Sequence, residues 1–178
     1  MLCQPRHLGA VTLAAVLTLP VAGTAPAGTP AAAPHTCSVQ QLALSWAGGT
    51  AKHGGTGNQD TAIVRVHNKG DKSCTLHGYP NVTLKAKAAH DTETLRHTPR
   101  TKPRTVTIAP GTHTTFTLVF LSELNEPAQA IKPNRVDITL PGNSRSTSLD
   151  WPWGPVTRQE GATHPGNYVG ALGSPLKP

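Results

Sequence analysis

The sequence predicts an all-β fold, a two-layered sandwich of about seven to nine short strands. Three observations predict it. Apolar and polar residues alternate in short runs, as they do in half-buried strands, and no window sustains a 3.6-residue period. The runs are rich in Thr, Val and Ile, whose branched side chains suit a pleated surface. Gly and Pro number 17 each among 178 residues, and they fall between the runs, where turns belong. Charged residues are only 14% and aromatics 4%. That charge share is about half of the roughly 25% usual in globular domains, which argues against a charged disordered chain or a long coiled coil. The length suits one domain with tails.

The first segment reads as a leader rather than as part of the fold. Arg6 and His7 precede an apolar run over residues 8–21, and small residues follow. Ala25-Pro26-Ala27 fits a cleavage site, so residues 1–27 read as a secretory signal peptide. The apolar run is about 14 residues, short of the roughly 20 that span a bilayer, so no transmembrane anchor is expected after cleavage. Cys3 precedes the apolar run and Cys37 follows Pro34-His35-Thr36, so neither fits a lipoprotein site. Leu140-Pro141-Gly142-Asn143-Ser144 does not match a wall-sorting motif. Residues 28–36 read as an Ala/Pro-rich linker, 37–153 as the β domain, and 154–178 as a loose Gly/Pro-rich tail with at most one last short strand.

The strands follow in order. Leu42, Leu44 and Trp46 share one face of the first. A Gly-rich loop with Gly54-Gly55 leads to the second, where Ala62, Val64 and Val66 face one way and Ile63, Arg65 and His67 the other. Asn68-Lys69-Gly70-Asp71 is a turn signal. Cys74 and Leu76 form a short strand ended by Gly78-Tyr79-Pro80, and Val82, Leu84 and Ala86 form the next. After a polar stretch, Val106 and Ile108 alternate up to the turn dipeptide Pro110-Gly111, and Phe116, Leu118 and Phe120 share a face of a long strand. Val136, Ile138 and Leu140 alternate before Pro141-Gly142. Residues 148–151 and 168–172 carry weaker signals. The one helical candidate, residues 123–131, is interrupted by Pro127.

Removal of the leader takes Cys3 and leaves Cys37 and Cys74. An even pair in a small exported domain reads as a disulfide, against the alternatives of free thiols or a metal pair. A zinc site would want four closely spaced ligands, and no second Cys pair exists. The chain-entropy model assigns such a closed loop about 4 kcal/mol. Immunoglobulin domains place their Cys-Trp-Cys pattern over a longer span. The bridge here is therefore expected to tie the approach to the first strand to the Cys74 strand, not to join the two layers.

Several of these residues together resemble a known family. They are Cys37 before Leu42-x-Leu44, the loop with Gly54-Gly55, Val64-x-Val66-x-Asn68-x-Gly70, the run Cys74-Thr75-Leu76-His77-Gly78-Tyr79-Pro80-Asn81-Val82, and Ile108-Ala109-Pro110-Gly111 before a long strand. The sequence resembles domain-of-unknown-function family 4232, common in exported proteins and lipoproteins of actinobacteria. The Cys-x-Leu-x-Gly-Tyr-Pro run is its most specific part, and the likeness covers residues 37–140. It implies an immunoglobulin-like antiparallel β-sandwich outside the cell, and no enzymatic activity. Members often carry a second cysteine pair toward the C-terminus, which this chain lacks.

Residues 85–104 are the most distinctive chemical feature. Lys85, Lys87, Arg96, Arg100, Lys102 and Arg104 stand against Asp91 and Glu93, in a chain whose formal charge is +7. Such a loop suits an anionic cell-wall polymer or another polyanion, although a solvated loop is the bland alternative. It lacks the interleaved aromatics that stack nucleic-acid bases. The 9 histidines show no metal-binding spacing, although His67 and His77 would approach each other if their strands paired. No G-x-S-x-G elbow, carboxylate pair or phosphate-cradling glycine loop occurs, and no cofactor is expected. Trp151-Pro152-Trp153 reads as core or edge packing, with an exposed binding platform as the alternative. The expectation is an exported, monomeric, non-catalytic binding or structural module. The alternatives are a module for an exported protein partner and, less favoured, an envelope hydrolase.

Overall fold

A computed structural model describes residues 34–51, 59–88, 90–123, 127–159 and 166–175. The chain divides after Ala32, and the second unit, Ala33–Pro178, holds all of them. The expected leader, most of the linker, and the Gly54-Gly55 loop lie outside the described residues.

The strands are β1 His35–Thr36, β2 Leu42–Gly49, β3 Gln59–Asn68, β4 Cys74–His77, β5 Asn81–Ala86, β6 Thr92–Thr94, β7 Arg96–His97, β8 Thr105–Ile108, β9 His113–Leu121, β10 Ala130–Ile131, β11 Pro133–Thr139, β12 Thr147–Asp150, β13 Val156–Thr157 and β14 Tyr168–Val169. They form a five-stranded sheet in the order β2-β3-β9-β14-β7 and a four-stranded sheet β12-β11-β5-β6. A three-stranded sheet β1-β4-β8 and the pair β10-β13 complete the set.

The longest ladder joins β3 to β9, running unbroken from Gln59↔Leu121 to His67↔His113. The alternation in these two strands puts Ala62, Val64 and Val66 beside Phe116, Leu118 and Phe120 on one face, all fully buried. Val82 and Leu84 of β5, with Val136 and Ile138 of β11, bury their alternate residues in the same hydrophobic cluster. Both larger sheets therefore contribute one face to a common core, which is what a period-2 pattern requires.

Three indoles pack together against that core. Trp46 meets Trp153 edge-on with ring centroids 4.3 Å apart, and Phe120 meets Trp151 at 4.8 Å. The Trp46 Nε1–H donates to the Asp150 carbonyl at 3.0 Å, tying β2 to β12. The Trp151 Nε1–H donates to the Gly154 carbonyl at 2.9 Å. Buried indoles usually need such a partner. Trp151 and Trp153 are core residues, 6% and 9% exposed.

Four expectations need correction. The strands exceed the expected seven to nine because five pieces of only two residues, β1, β7, β10, β13 and β14, add to the longer ones; isolated pairs of bonds leave no readable alternation. The sheets are not wholly antiparallel, since β1 runs parallel to β4 and β14 parallel to β7. Among the described residues the helical candidate contributes a 3₁₀ turn at Pro127–Gln129 and then β10, as expected where proline removes a donor. The tail is not loose where it is described. β14 pairs with β9 on one side and β7 on the other, and Val169, Ala171 and Leu172 are fully buried. Beyond β14 the chain stays on the β9 edge, with Gly170 N–H donating to Thr117 and Gly173 N–H to Thr115.

Because Leu172 is a core residue, Leu172→Ala is expected to destabilise the domain by about 2–5 kcal/mol in chemical denaturation, the range for large-to-small core changes. A loss below about 0.5 kcal/mol would mean that the tail contributes nothing to the core.

Candidate functional site

The run from Cys74 to Pro80 gives each residue a separate task. Cys74 bonds to Cys37 with a Cα–Cα distance of 4.8 Å. The Cys37 N–H also donates to the Thr75 carbonyl at 2.9 Å. The bridge thus links neighbouring backbone segments beside β4, as expected from its short span, and an intact disulfide fits an oxidising compartment. Leu76 is buried on the same face of β4 as Cys74. Gly78 takes a φ of 119°, a conformation that side-chain-bearing residues rarely adopt. Its carbonyl accepts the Leu172 N–H at 3.2 Å. Pro80 is buried at the start of the next strand.

Tyr79 is the residue that reaches the cationic segment. Its hydroxyl proton lies between two acceptors, the carbonyl of Thr98 at 3.0 Å and that of Thr101. Its ring stacks on His97, centroids 4.6 Å apart and planes 10° from parallel. The C-terminal segment holds the same loop from the other side. Thr98 N–H donates to the Val169 carbonyl at 3.1 Å, Ala171 N–H to the Thr101 hydroxyl at 3.1 Å, and the Arg104 guanidinium to the Gly173 carbonyl. Thr98, at the loop's root, is 2% exposed.

The structure divides the six candidate cations. Arg96, Arg100, Lys102 and Arg104 lie together on β7 and the anchored loop, all exposed. Among the described residues none of these four forms an ion pair. The two acids of the segment are engaged elsewhere. Asp91 pairs with Arg158. Glu93 is 5% exposed and accepts the Gln159 N–H at 3.1 Å. Lys87 is exposed past the end of β5.

Lys85 stands on the other large sheet, with its ammonium 2.6 Å from Asp137 on β11. The Ser148 hydroxyl donates to the same carboxylate at 2.6 Å, and Arg135 lies 3.5 Å from it. Burial alone raises the Asp137 pKa, but the hydrogen bonds from Lys85 and Ser148 and the charges of Lys85 and Arg135 outweigh it, so the carboxyl titrates below its ordinary 3.8. Lys85 thus belongs to a local charge cluster.

Strand register decides which histidines are neighbours. His77 is on β4, with Nδ1 3.1 Å from the Thr105 hydroxyl, whereas His67 is on β3 of the five-stranded sheet, directly opposite His113. The two strands that carry His67 and His77 do not pair, and His67 meets His113 instead. Among the described residues no three His, Cys, Asp or Glu side chains gather as a metal cluster, and no helix is long and apolar enough to cross a membrane. Sequence reasoning missed Tyr79 as an anchor; its signal was the Gly-Tyr-Pro turn, which sets a large amphipathic ring immediately after β4.

Against known proteins, the model of a family described as a domain of unknown function (DUF4232) matches residues 37–172. The match runs through Leu172, so it includes the buried end of the tail. No curated protein matches the chain.

Two outcomes follow from this geometry. Tyr79→Phe is expected to cost about 1–2 kcal/mol, since it leaves two carbonyls without their donor, and to speed amide exchange in residues 100–102. Unchanged exchange there would remove Tyr79 as the anchor. Since the Asp137 pKa is depressed in the folded state, its contribution to stability is present above the unfolded value near 3.8 and is lost as pH falls through the folded one. Lys85→Met is therefore expected to raise the Asp137 titration midpoint by carboxyl NMR. It is expected to cost about 1 kcal/mol or less at pH 7, with the deficit fading as pH falls through the depressed folded-state midpoint and the carboxyl protonates in both proteins.

Proposed function

The chain belongs to the DUF4232 family, and from that premise we propose that it is an exported, non-catalytic, monomeric binding module of the cell envelope, an immunoglobulin-like sandwich whose 96–104 loop holds an anionic wall polymer. One observation carries this reading. Four exposed cations without ion-pair partners among the described residues sit on a loop fixed by Tyr79 and the C-terminal segment. A loop that serves only solubility gains nothing from being held. For a binding loop, fixation removes the ordering cost that association otherwise carries.

The compartment supports the same ligand class. A leader-like N-terminus, a paired Cys37 and Cys74 and membership of a family common in exported proteins favour an oxidising, extracellular location. Anionic polymers are the abundant charged partners there, and they need clustered cations rather than a deep pocket. The shallow polar depression beside the loop at residues 142–145 is lined by one cation, Arg145, and offers much less charge.

The test is retention on purified cell walls across a salt series. Binding is expected to weaken at least tenfold between low and high salt, because exposed charges are screened beyond about 10 Å at 0.1 M. A variant with Arg96, Arg100, Lys102 and Arg104 all changed to Ser is expected to bind at least tenfold more weakly at low salt. Retention of that variant at the parent's level would overturn the cationic-loop reading. Salt-insensitive binding would point to an apolar protein partner instead.

A further inference from the structure

The register of the central ladder places two histidines opposite each other, on the face of the five-stranded sheet turned away from Val64 and Phe116. His67 of β3 stands directly opposite His113 of β9. Both alternate with the buried faces of their strands: Val66 and Phe116 point into the core, while His67 is half-buried and His113 exposed. The Asn68 N–H donates to the Thr112 carbonyl at 2.9 Å. In an antiparallel ladder that bond makes the next pair outward, His67 and His113, a non-hydrogen-bonded pair, the kind whose side chains lie closest, with Cα atoms about 4.5 Å apart.

The surroundings leave the pair open. Ala43 is the β2 residue opposite His67, so a methyl group, not a large side chain, occupies that flank. On the other flank of β9 runs the segment around Gly173, whose N–H bonds to Thr115. The next row on the same face is Ser45, Arg65 and Thr115. Neither imidazole has a hydrogen-bond or ion-pair partner among the described residues, so each ring can turn its unprotonated nitrogen to a ligand.

We propose that His67 and His113 form a two-histidine site, open to solvent, for a borderline divalent transition-metal ion, with water completing the coordination. Two neutral imidazoles held on adjacent strands act as one chelating unit, since the fold has already fixed their separation. Imidazole suits Cu²⁺, Ni²⁺ and Zn²⁺, and Cu²⁺ binds it most strongly of these. Because the rows beside the pair supply no carboxylate, selectivity should favour these ions over Mg²⁺ and Ca²⁺, which need oxygen ligands. Binding requires the ligating nitrogen of each ring to be unprotonated, so protons compete with the ion.

The experiment titrates Cu²⁺ into the untagged chain carrying Cys3→Ser, which silences the one thiol outside the disulfide, and follows histidine ring resonances and heat. Expected are selective broadening of the His67 and His113 resonances at sub-stoichiometric Cu²⁺, and at least tenfold weaker binding in His67→Ala and in His113→Ala. His77→Ala, in a different sheet, should bind as the parent does. Circular dichroism of each variant checks that the fold is kept, and His113→Gln gives a milder second removal. Parent-like affinity in both single variants, or an equal loss in His77→Ala, would overturn the site. Broadening confined to other histidines would do the same.

Discussion

The β3–β9 ladder is the constraint on which the rest depends. Both strands bury one complete face, so a one-residue slip would turn Val64, Val66, Phe116 and Leu118 outward together. With the register fixed, each flank is committed. β2 must add on the β3 side, and its Trp46 then reaches β12 of the other large sheet through the Asp150 carbonyl. On the β9 side the available edge is filled by β14 and its continuation, which carries Leu172 into the core. An edge left open there would be a row of unpaired backbone groups and a template for aggregation. The C-terminal segment acts as an edge cover as well as a source of core residues.

The Cys74–Pro80 run couples this core to the surface. It contributes a bridge to Cys37, a core side chain in Leu76, a turn that needs Gly78, and a tyrosine whose ring and hydroxyl both face the cationic segment. Stability and presentation are therefore linked. The backbone that holds Arg100 and Lys102 depends on the same C-terminal residues that complete the core, because Ala171 bonds to the loop while Leu172 is buried beside it. A change far from the charges, at Leu172, should loosen the loop by freeing its second anchor.

Much of the fold was legible because burial on one face writes itself as alternation. The faces of β3, β5, β9 and β11 can be read directly from Val64, Leu84, Phe116 and Ile138. Three kinds of information were not. The two-residue strands are too short to alternate. β6 was hidden because its inward residue is Glu93, a carboxylate that is buried by hydrogen bonding to the Gln159 N–H and the Asn167 amide rather than by being apolar. The order in the tail comes from side chains such as Asn167, which is 1% exposed; a Gly/Pro-rich composition conceals such bonding. For the candidate site, the six cations were visible as a charge run, but their division was not. Register places Lys85 beside Asp137, and it places His67 beside His113 rather than beside His77. Pairing partners are a long-range property, and one sequence does not contain them.

The distribution of acids completes the electrostatic argument. In a chain with only 9 Asp and Glu, the described carboxylates are largely occupied in holding strands together. Asp137 binds Lys85 and Ser148 across the four-stranded sheet. Asp60 accepts the Ser122 hydroxyl at 2.6 Å. Asp91 takes Arg158, and Glu93 is turned inward. Each holds one segment of the domain to another, and among the described residues none of these four pairs with Arg96, Arg100 or Lys102. Ordinary surfaces intersperse both signs. Here the acids that stabilise the fold are, by their placement, withheld from the 96–104 segment, whose backbone is held at Thr98 and Thr101. A local excess of cations on an anchored loop is a consequence of how the domain is assembled, and it is the feature on which the proposed binding of an anionic polymer rests.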